Sequence, residues 1–285
     1  TKGEGKEGDT LGEEEKDETK RDSDEDEDDL LDLTQEDDYV ELDSDHKLLI
    51  TSTKNLIYSM NAQVVLSVVT LLYYCAPNND CIDAIRALIQ FVNFSKREIS
   101  YCILANISTM ASERSELFAG FYKDFYIKSI EAGFLKELKL DILSKIATEG
   151  NIGHILHEFE AYAKDPDIKF RCSTIEAMGR CSSMIPDVAE KTMTSLMTLL
   201  SPANQSPDVV ASSVIVIRQI IQRNPSNYEK SMLKLLKLLQ KTNVPAARCA
   251  IVWIIGEYRE YISDYVPDAL RILAKKFIHE ANEVK

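Results

Sequence analysis

His154, His157 and Glu158 fall within five residues of one another, a spacing that sets two imidazoles and a carboxylate on one helix face. Such a trio could in principle hold a metal. Three ligands from a single exposed turn, however, lack the open coordination position and supporting shell that metal chemistry needs, so no metal is expected. Carboxylates crowd the first 45 residues, yet acid–base catalysis requires a pocket that shifts their pKa values. The sequence contains no glycine-rich phosphate loop, no G-x-S-x-G elbow and no kinase motif set. No catalytic residue, cofactor or enzymatic activity follows from these residue types.

Recognition is better represented than catalysis. Asp26-Glu27-Asp28-Asp29-Leu30-Leu31 fits the acidic dileucine pattern [DE]-x-x-x-L-[LI], with Asp26, Leu30 and Leu31 as its defining residues. Short patterns of this kind arise readily in acidic segments, and the simpler reading is a solvated tether. Ser23 precedes Asp24, Glu25 and Asp26, and Thr34 precedes Asp37, which suits an acid-directed kinase. Phosphate there would add charge to a self-repelling segment and extend it further. A second candidate is the row Lys230, Lys234, Lys237 and Lys241. At helical spacing it lies opposite the apolar stripe of Met232, Leu235, Leu236 and Leu239. That row is either a solvated face or a contact for acidic headgroups or an acidic partner.

Charge divides the chain that carries these features. Residues 1–45 hold 22 Asp and Glu against 5 Lys and Arg, whereas residues 46–285 hold 25 against 28. The low sequence pI of 4.8 is therefore a property of the leading segment. A block of like charge with few aromatics cannot bury enough apolar area to offset its ordering entropy, so residues 1–44 are expected to be a disordered acidic linker. The folded part is neither basic enough nor rich enough in exposed aromatics to suggest nucleic acid. Six cysteines without a C-x-x-C pair read as buried, reduced thiols of a cytosolic protein. With no signal peptide and no 18-residue apolar run, the sequons at Asn93, Asn106 and Asn204 are expected to stay unmodified. The first residue is not Met and the last helical pattern is unfinished, as expected of a piece of a longer protein.

Residues 45–285 must position whatever the chain presents, and they repeat. Apolar residues recur at helical spacing in segments broken at Pro77-Asn78, Asp165-Pro166, Ser201-Pro202, Asn224-Pro225 and Val244-Pro245. Val65, Cys102, Leu140, Cys172, Ser212 and Cys249 align at intervals of 37, 38, 32, 40 and 37. Between them lie second helices, such as residues 81–93, 151–164, 187–200 and 227–241. About six antiparallel helix pairs of this period predict an all-α fold, a HEAT/armadillo-like α-solenoid in which neighbouring pairs bury each other's stripes. Only Phe121 to Ile127 suggests a short extended piece.

Three strings then become informative. Leu138-Lys139-Leu140-Asp141-Ile142-Leu143, Ala177-Met178-Gly179-Arg180-Cys181-Ser182 and Trp253-Ile254-Ile255-Gly256-Glu257-Tyr258 resemble, in order and spacing, signature runs of the beta-type large adaptins. The similarity extends over residues 43–279, and the acidic block before it most resembles the beta subunits of adaptor protein complex 3. The resemblance implies a non-enzymatic scaffold in vesicle-mediated transport from Golgi and endosomes toward lysosomes or the vacuole. It implies medium, small and delta-type large partner chains. A small GTPase and cargo tails would be reached through the assembled complex, with peripheral placement on the cytosolic face of those membranes. Clathrin is a weaker expectation, because Leu30-Leu31-Asp32-Leu33 approaches a clathrin box but Thr34 stands where an acid is wanted. Other helical-repeat scaffolds, namely a clathrin-linked beta adaptin, a coatomer subunit, a karyopherin-like carrier or a phosphatase scaffold, are the alternatives.

Within the repeat, Trp253 reads as a core anchor between stacked helices. Gly179 and Gly256, each seven residues after an aligned Cys, read as points of close helix approach.

Overall fold

The computed structural model describes residues 42–200 and 206–285. Thirteen α-helices and several 3-10 turns make up these residues, with no β-strand among them. The helices are α1 (Ser44–Lys54), α2 (Ala62–Cys75), α3 (Asn78–Phe94), α4 (Arg97–Glu113), the short α5 (Glu116–Ala119), α6 (Gly133–Lys145) and α7 (Ile152–Tyr162). They continue as α8 (Ile168–Met184), α9 (Ala189–Leu199), α10 (Pro207–Arg223), α11 (Glu229–Leu239), α12 (Pro245–Glu257) and α13 (Val266–Lys276).

Local chemistry sets the starts. The side chains of Asp43, Asn61 and Asp167 accept hydrogen bonds from backbone N–H groups in the first turns of α1, α2 and α8, satisfying donors with no intrahelical partner. Pro207 and Pro245 occupy first helical positions of α10 and α12, where the missing N–H costs nothing.

Packing then makes two layers. In the first, α6 lies on α4, α8 on α6, α10 on α8 and α12 on α10. In the second, α3 packs against α2 and α4, α9 against α8 and α10, α7 against α8, and α11 against α12. The apolar stripes meet between the layers, where Leu88, Ile107, Leu143, Phe159, Leu196, Ile217, Leu239 and Ile251 lose essentially all contact with solvent. The core forms two clusters, one running from Ile50 to Val188 and the other from Ala163 to Ala269. Helix α8 contributes to both: Phe170, Met178 and Cys181 join the first and Ile175 the second.

The extended piece expected at Phe121 to Ile127 is instead a 3-10 turn, Tyr122–Phe125. Burial explains the difference, because Tyr122 and Phe125 both turn inward, which an alternating strand would not allow. The turn is held from below by Tyr162, whose hydroxyl oxygen accepts the Ile127 N–H at 2.9 Å. Burial pushes that hydroxyl's pKa far above its ordinary value. Replacing Tyr162 with Phe leaves the Ile127 N–H unpaired and should cost about 1–3 kcal/mol, read as a lower urea midpoint.

All six cysteines are free, but the expectation of uniform burial fails at Cys102 and Cys249, which are exposed. Both sit on the solvent side of first-layer helices, at positions the repeat alignment equates with buried Val65 and Leu140. The alignment fixed the period but not the phase of the helix face. Burial raises the Cys81 thiol and pushes Cys181 from 9.0 up to about 12. Cys102 and Cys249 should therefore react with a maleimide under native conditions, while Cys81 and Cys181 react only after unfolding. The Cys181 contribution to stability is complete below the unfolded thiol's pKa and is lost as pH rises toward the folded one. Alkaline destabilisation beginning near pH 9.0 is its expected signature.

Candidate protein-interaction surface

Helix α11 realises the amphipathic pattern residue by residue. Met232, Leu235, Leu236 and Leu239 are buried, and Lys230, Lys234, Lys237 and Lys241 are exposed. The row ends at a hollow of about 440 Å³, where Lys241 stands beside Pro207, Val210, Leu238, Val244 and Pro245. Lys241 lines this recess and the other three ammonium groups follow along the helix, a surface suited to an acidic ligand with an apolar part at the Lys241 end. Asp26, Leu30, Leu31, Ser23 and Thr34 lie outside the described residues.

Trp253 is not a core anchor. It is 38 % exposed, with the Arg218 guanidinium 5.6 Å from its ring centroid and Tyr258 edge-on at 6.1 Å. The phase of α12 explains this, since Ile251, Ile254 and Ile255 take the buried face and leave residue 253 outside. Gly179 does mark a close approach: a Cβ there would come within 2.9 Å of Val216 Cγ1. Gly256 does not, because nothing lies within 4 Å of the corresponding position. Identical alignment thus conceals two different roles. His154 stacks on Tyr122 at 6.0 Å.

Sequence reasoning missed a row of cations along the C-terminal ends of the first-layer helices. Arg114, following α4, donates to the Tyr73 carbonyl of α2 at 2.9 Å. Lys145 of α6 donates to the Ser108 carbonyl and hydroxyl of α4 at 3.1 and 2.7 Å. Arg180 of α8 donates to the Ser144 hydroxyl of α6 at 3.2 Å, and Arg223 of α10 donates to the Ser183 carbonyl of α8. Each cation reaches back to the helix before it, where carbonyls carry the negative end of the helix dipole. The signal available in the sequence was a basic residue near the end of α4, α6, α8 and α10. Burial raises the carboxyl of Asp141, but hydrogen bonds from Lys145 and Ser108 outweigh it and hold the group below its ordinary value.

Comparison with known proteins places this architecture. The family described as the adaptin N-terminal region matches residues 24–285. The chain belongs to the adaptin N-terminal family. Among its relatives is the AP-3 complex subunit beta-1 of Bos taurus, 39% identical over 244 residues, a match covering 86% of this chain and 22% of that protein. The AP-3 complex subunit beta of Dictyostelium discoideum is 38% identical over 279 residues, covering 86% of this chain and 25% of that one. The AP3-complex subunit beta-A of Arabidopsis thaliana is 32% identical over 265 residues, covering 88% and 27%. In three dimensions the adaptin stack matches a chain of a structure described as a homology model of the full-length AP-3 complex in an intermediate open conformation. The TM-score is 0.68 at 27% identity, covering 83% of this chain and 39% of that one. The chain spans about a quarter of the length of these curated relatives.

The three strings that carried the resemblance lie within the residues matched to the adaptin family. Lys139 is buried and donates to Glu131 at 2.7 Å and to the Tyr126 carbonyl at 3.3 Å. No helix among the described residues is long and apolar enough to cross a membrane.

Proposed function

We propose that this adaptin serves as a non-enzymatic scaffold subunit of a heterotetrameric, type 3 adaptor complex. In that role it joins medium, small and delta-type large chains in sorting cargo from Golgi and endosomes toward lysosomes or the vacuole. The observation that carries the reading is the match of one continuous helix stack, in sequence to AP-3 beta chains and in three dimensions to a chain of an AP-3 complex homology model. Residues 45–285 then act as about six helix pairs of the trunk, preceded by an acidic linker at residues 1–44. Binding through broad stacked-helix faces, rather than chemistry at a pocket, is the mechanism such a stack offers. The small GTPase, cargo tails, clathrin and the cytosolic faces of Golgi, endosomal and vesicle membranes are contacts of the assembled complex.

Affinity purification of the full-length protein tests this. Recovery with medium, small and delta-type large chains is expected; recovery with nuclear-import cargo or a phosphatase catalytic chain defeats it.

The lysine row is the contact we assign to acidic headgroups or an acidic partner. Replacing Lys230, Lys234, Lys237 and Lys241 together with Ala should change stability by no more than about 0.5 kcal/mol per substitution. It should weaken flotation with anionic vesicles by about tenfold or more. Unchanged flotation returns the row to a solvated face.

A further inference from the structure

The first-layer helices run the same way, so their N-terminal ends share one edge of the stack. Tyr101 of α4 meets Phe134 of α6 edge-on at 5.6 Å, and Glu137 of α6 pairs with Lys169 of α8 at 2.7 Å. Pro207 and Pro245, which open α10 and α12, line one hollow together with Lys241. The second-layer helices α3 and α7 end at the same edge, because short turns join them to α4 and α8.

Large apolar side chains gather there. Phe94, at the end of α3, is 91 % exposed, and Ile130, in the turn before α6, is 88 % exposed. Behind these two tips stand Ile99 and Tyr101 of α4, Phe134 of α6 and Ile168 of α8, all of them exposed. The helices that flank α4, α6 and α8 are already in place, so helix stacking does not account for the exposure. Cations interleave with the tips. Lys96 and Arg97 follow Phe94, Lys128 precedes Ile130 and Lys164 precedes Ile168, and all four are exposed. Three carboxylates of the edge are engaged: Asp165 with Lys136 at 3.4 Å, Glu131 with Lys139 at 2.7 Å, and Glu137 with Lys169. Glu98 and Asp167 are its exposed acids at the starts of α4 and α8.

This mixture points to one kind of occupant. The buried centre of a protein–protein interface is depleted in charge, and lysine is depleted across the interface, whereas here lysines stand beside every apolar tip. At a bilayer surface the same mixture is complementary. Apolar tips enter the acyl boundary, and the flanking long cations keep their charge among anionic headgroups. We propose that this edge docks on an anionic lipid bilayer, with Phe94 and Ile130 inserted and Lys96, Arg97, Lys128 and Lys164 on the headgroups. Tyr101 and Phe134 then lie at headgroup level, where amphipathic and aromatic rings are favoured. Lys241 stands on the same edge, so the proposal rests in part on the headgroup reading of the α11 row. It adds an inserted apolar element that the row lacks.

An environment-sensitive fluorescent amino acid in place of Ile130 tests this in the full-length protein. Its emission should shift to the blue with vesicles of phosphatidylcholine and phosphatidylserine, and stay unshifted with phosphatidylcholine alone. Phe94→Ser with Ile130→Ser should weaken flotation with the anionic vesicles about tenfold. Lys96→Glu with Lys128→Glu should weaken it by about the same factor. Thermal unfolding should stay near the parent in both variants, since all four side chains face solvent. The α11 lysine variant separates the two readings. A blue shift at residue 130 with unchanged flotation of that variant supports the edge and returns the row to a solvated face. Flotation lost in that variant, with no blue shift at residue 130, keeps the row and overturns the edge. A shift produced by partner chains without vesicles assigns the tips to a protein contact and overturns it as well.

Discussion

Replacing Arg248 with Leu should cost about 3–5 kcal/mol and release the last helix of the stack before the rest. Arg248 is 3 % exposed and uses every edge of its guanidinium. Nε donates to Glu280 at 2.9 Å, Nη2 pairs with the same carboxylate, and Nη1 donates to the Leu239 and Thr242 carbonyls at 2.7 and 3.0 Å. One side chain therefore joins the end of α11, the turn into α12 and the segment following α13. Leucine fills comparable space but leaves a buried carboxylate with no counter-charge and two carbonyls with no donor, each a separate penalty. Lysine should rescue only in part, since an ammonium cannot reproduce the fork. Urea unfolding of the two variants, with hydrogen exchange over residues 266–285, measures both claims. Unchanged protection over residues 266–285 in the Leu variant would remove Arg248 from this role.

Gly179→Ala should be the second large effect, and its sign runs against helix propensity. Alanine in place of glycine ordinarily stabilises a helix interior by roughly 1 kcal/mol. At this position the new methyl meets Val216 Cγ1 at 2.9 Å and Cγ2 at 3.1 Å. Val216 is β-branched and 2 % exposed, so it has no free rotamer to retreat into, and overpacking of this kind costs about 1–3 kcal/mol. Gly256→Ala, with nothing within 4 Å, should instead stabilise by up to about 1 kcal/mol. A double-mutant cycle supplies the decisive measurement: Gly179→Ala combined with Val216→Ala should cost less than the sum of the two, by about 0.5–3 kcal/mol. Strict additivity would show that the two helices do not touch there.

The contrast between these glycines shows what periodicity conveys. Apolar spacing and Pro or Asn breaks located the helices and their pairing, because those signals are local and every pair must bury a stripe. The lysine row and the α11 stripe were legible for the same reason. Which way each helix is rotated was not, because that depends on the neighbour's side chains. Cys102 and Cys249 share aligned positions with buried residues yet face solvent, and so does Trp253 within its apolar helix. The 3-10 turn at Tyr122–Phe125 was hidden by aromatic residues, which favour strands by type. The cations at the helix ends escaped notice because each contact joins residues some thirty to forty positions apart.

The sharing of α8 between the two core clusters bears on how force travels through the protein. A load applied to α2 or α4 reaches α10 and α12 chiefly by way of α8, through Phe170, Met178 and Cys181 on one flank and Ile175 on the other, with the Ser195 hydroxyl of α9 donating to Glu160 of α7 as a second link. Gly179 against Val216 sets that joint at contact distance, leaving no slack for one half to twist independently. In mechanical terms α8 is a coupling shaft: bending at one end of the stack is passed on mainly through this helix, and whatever clamps it stiffens both ends.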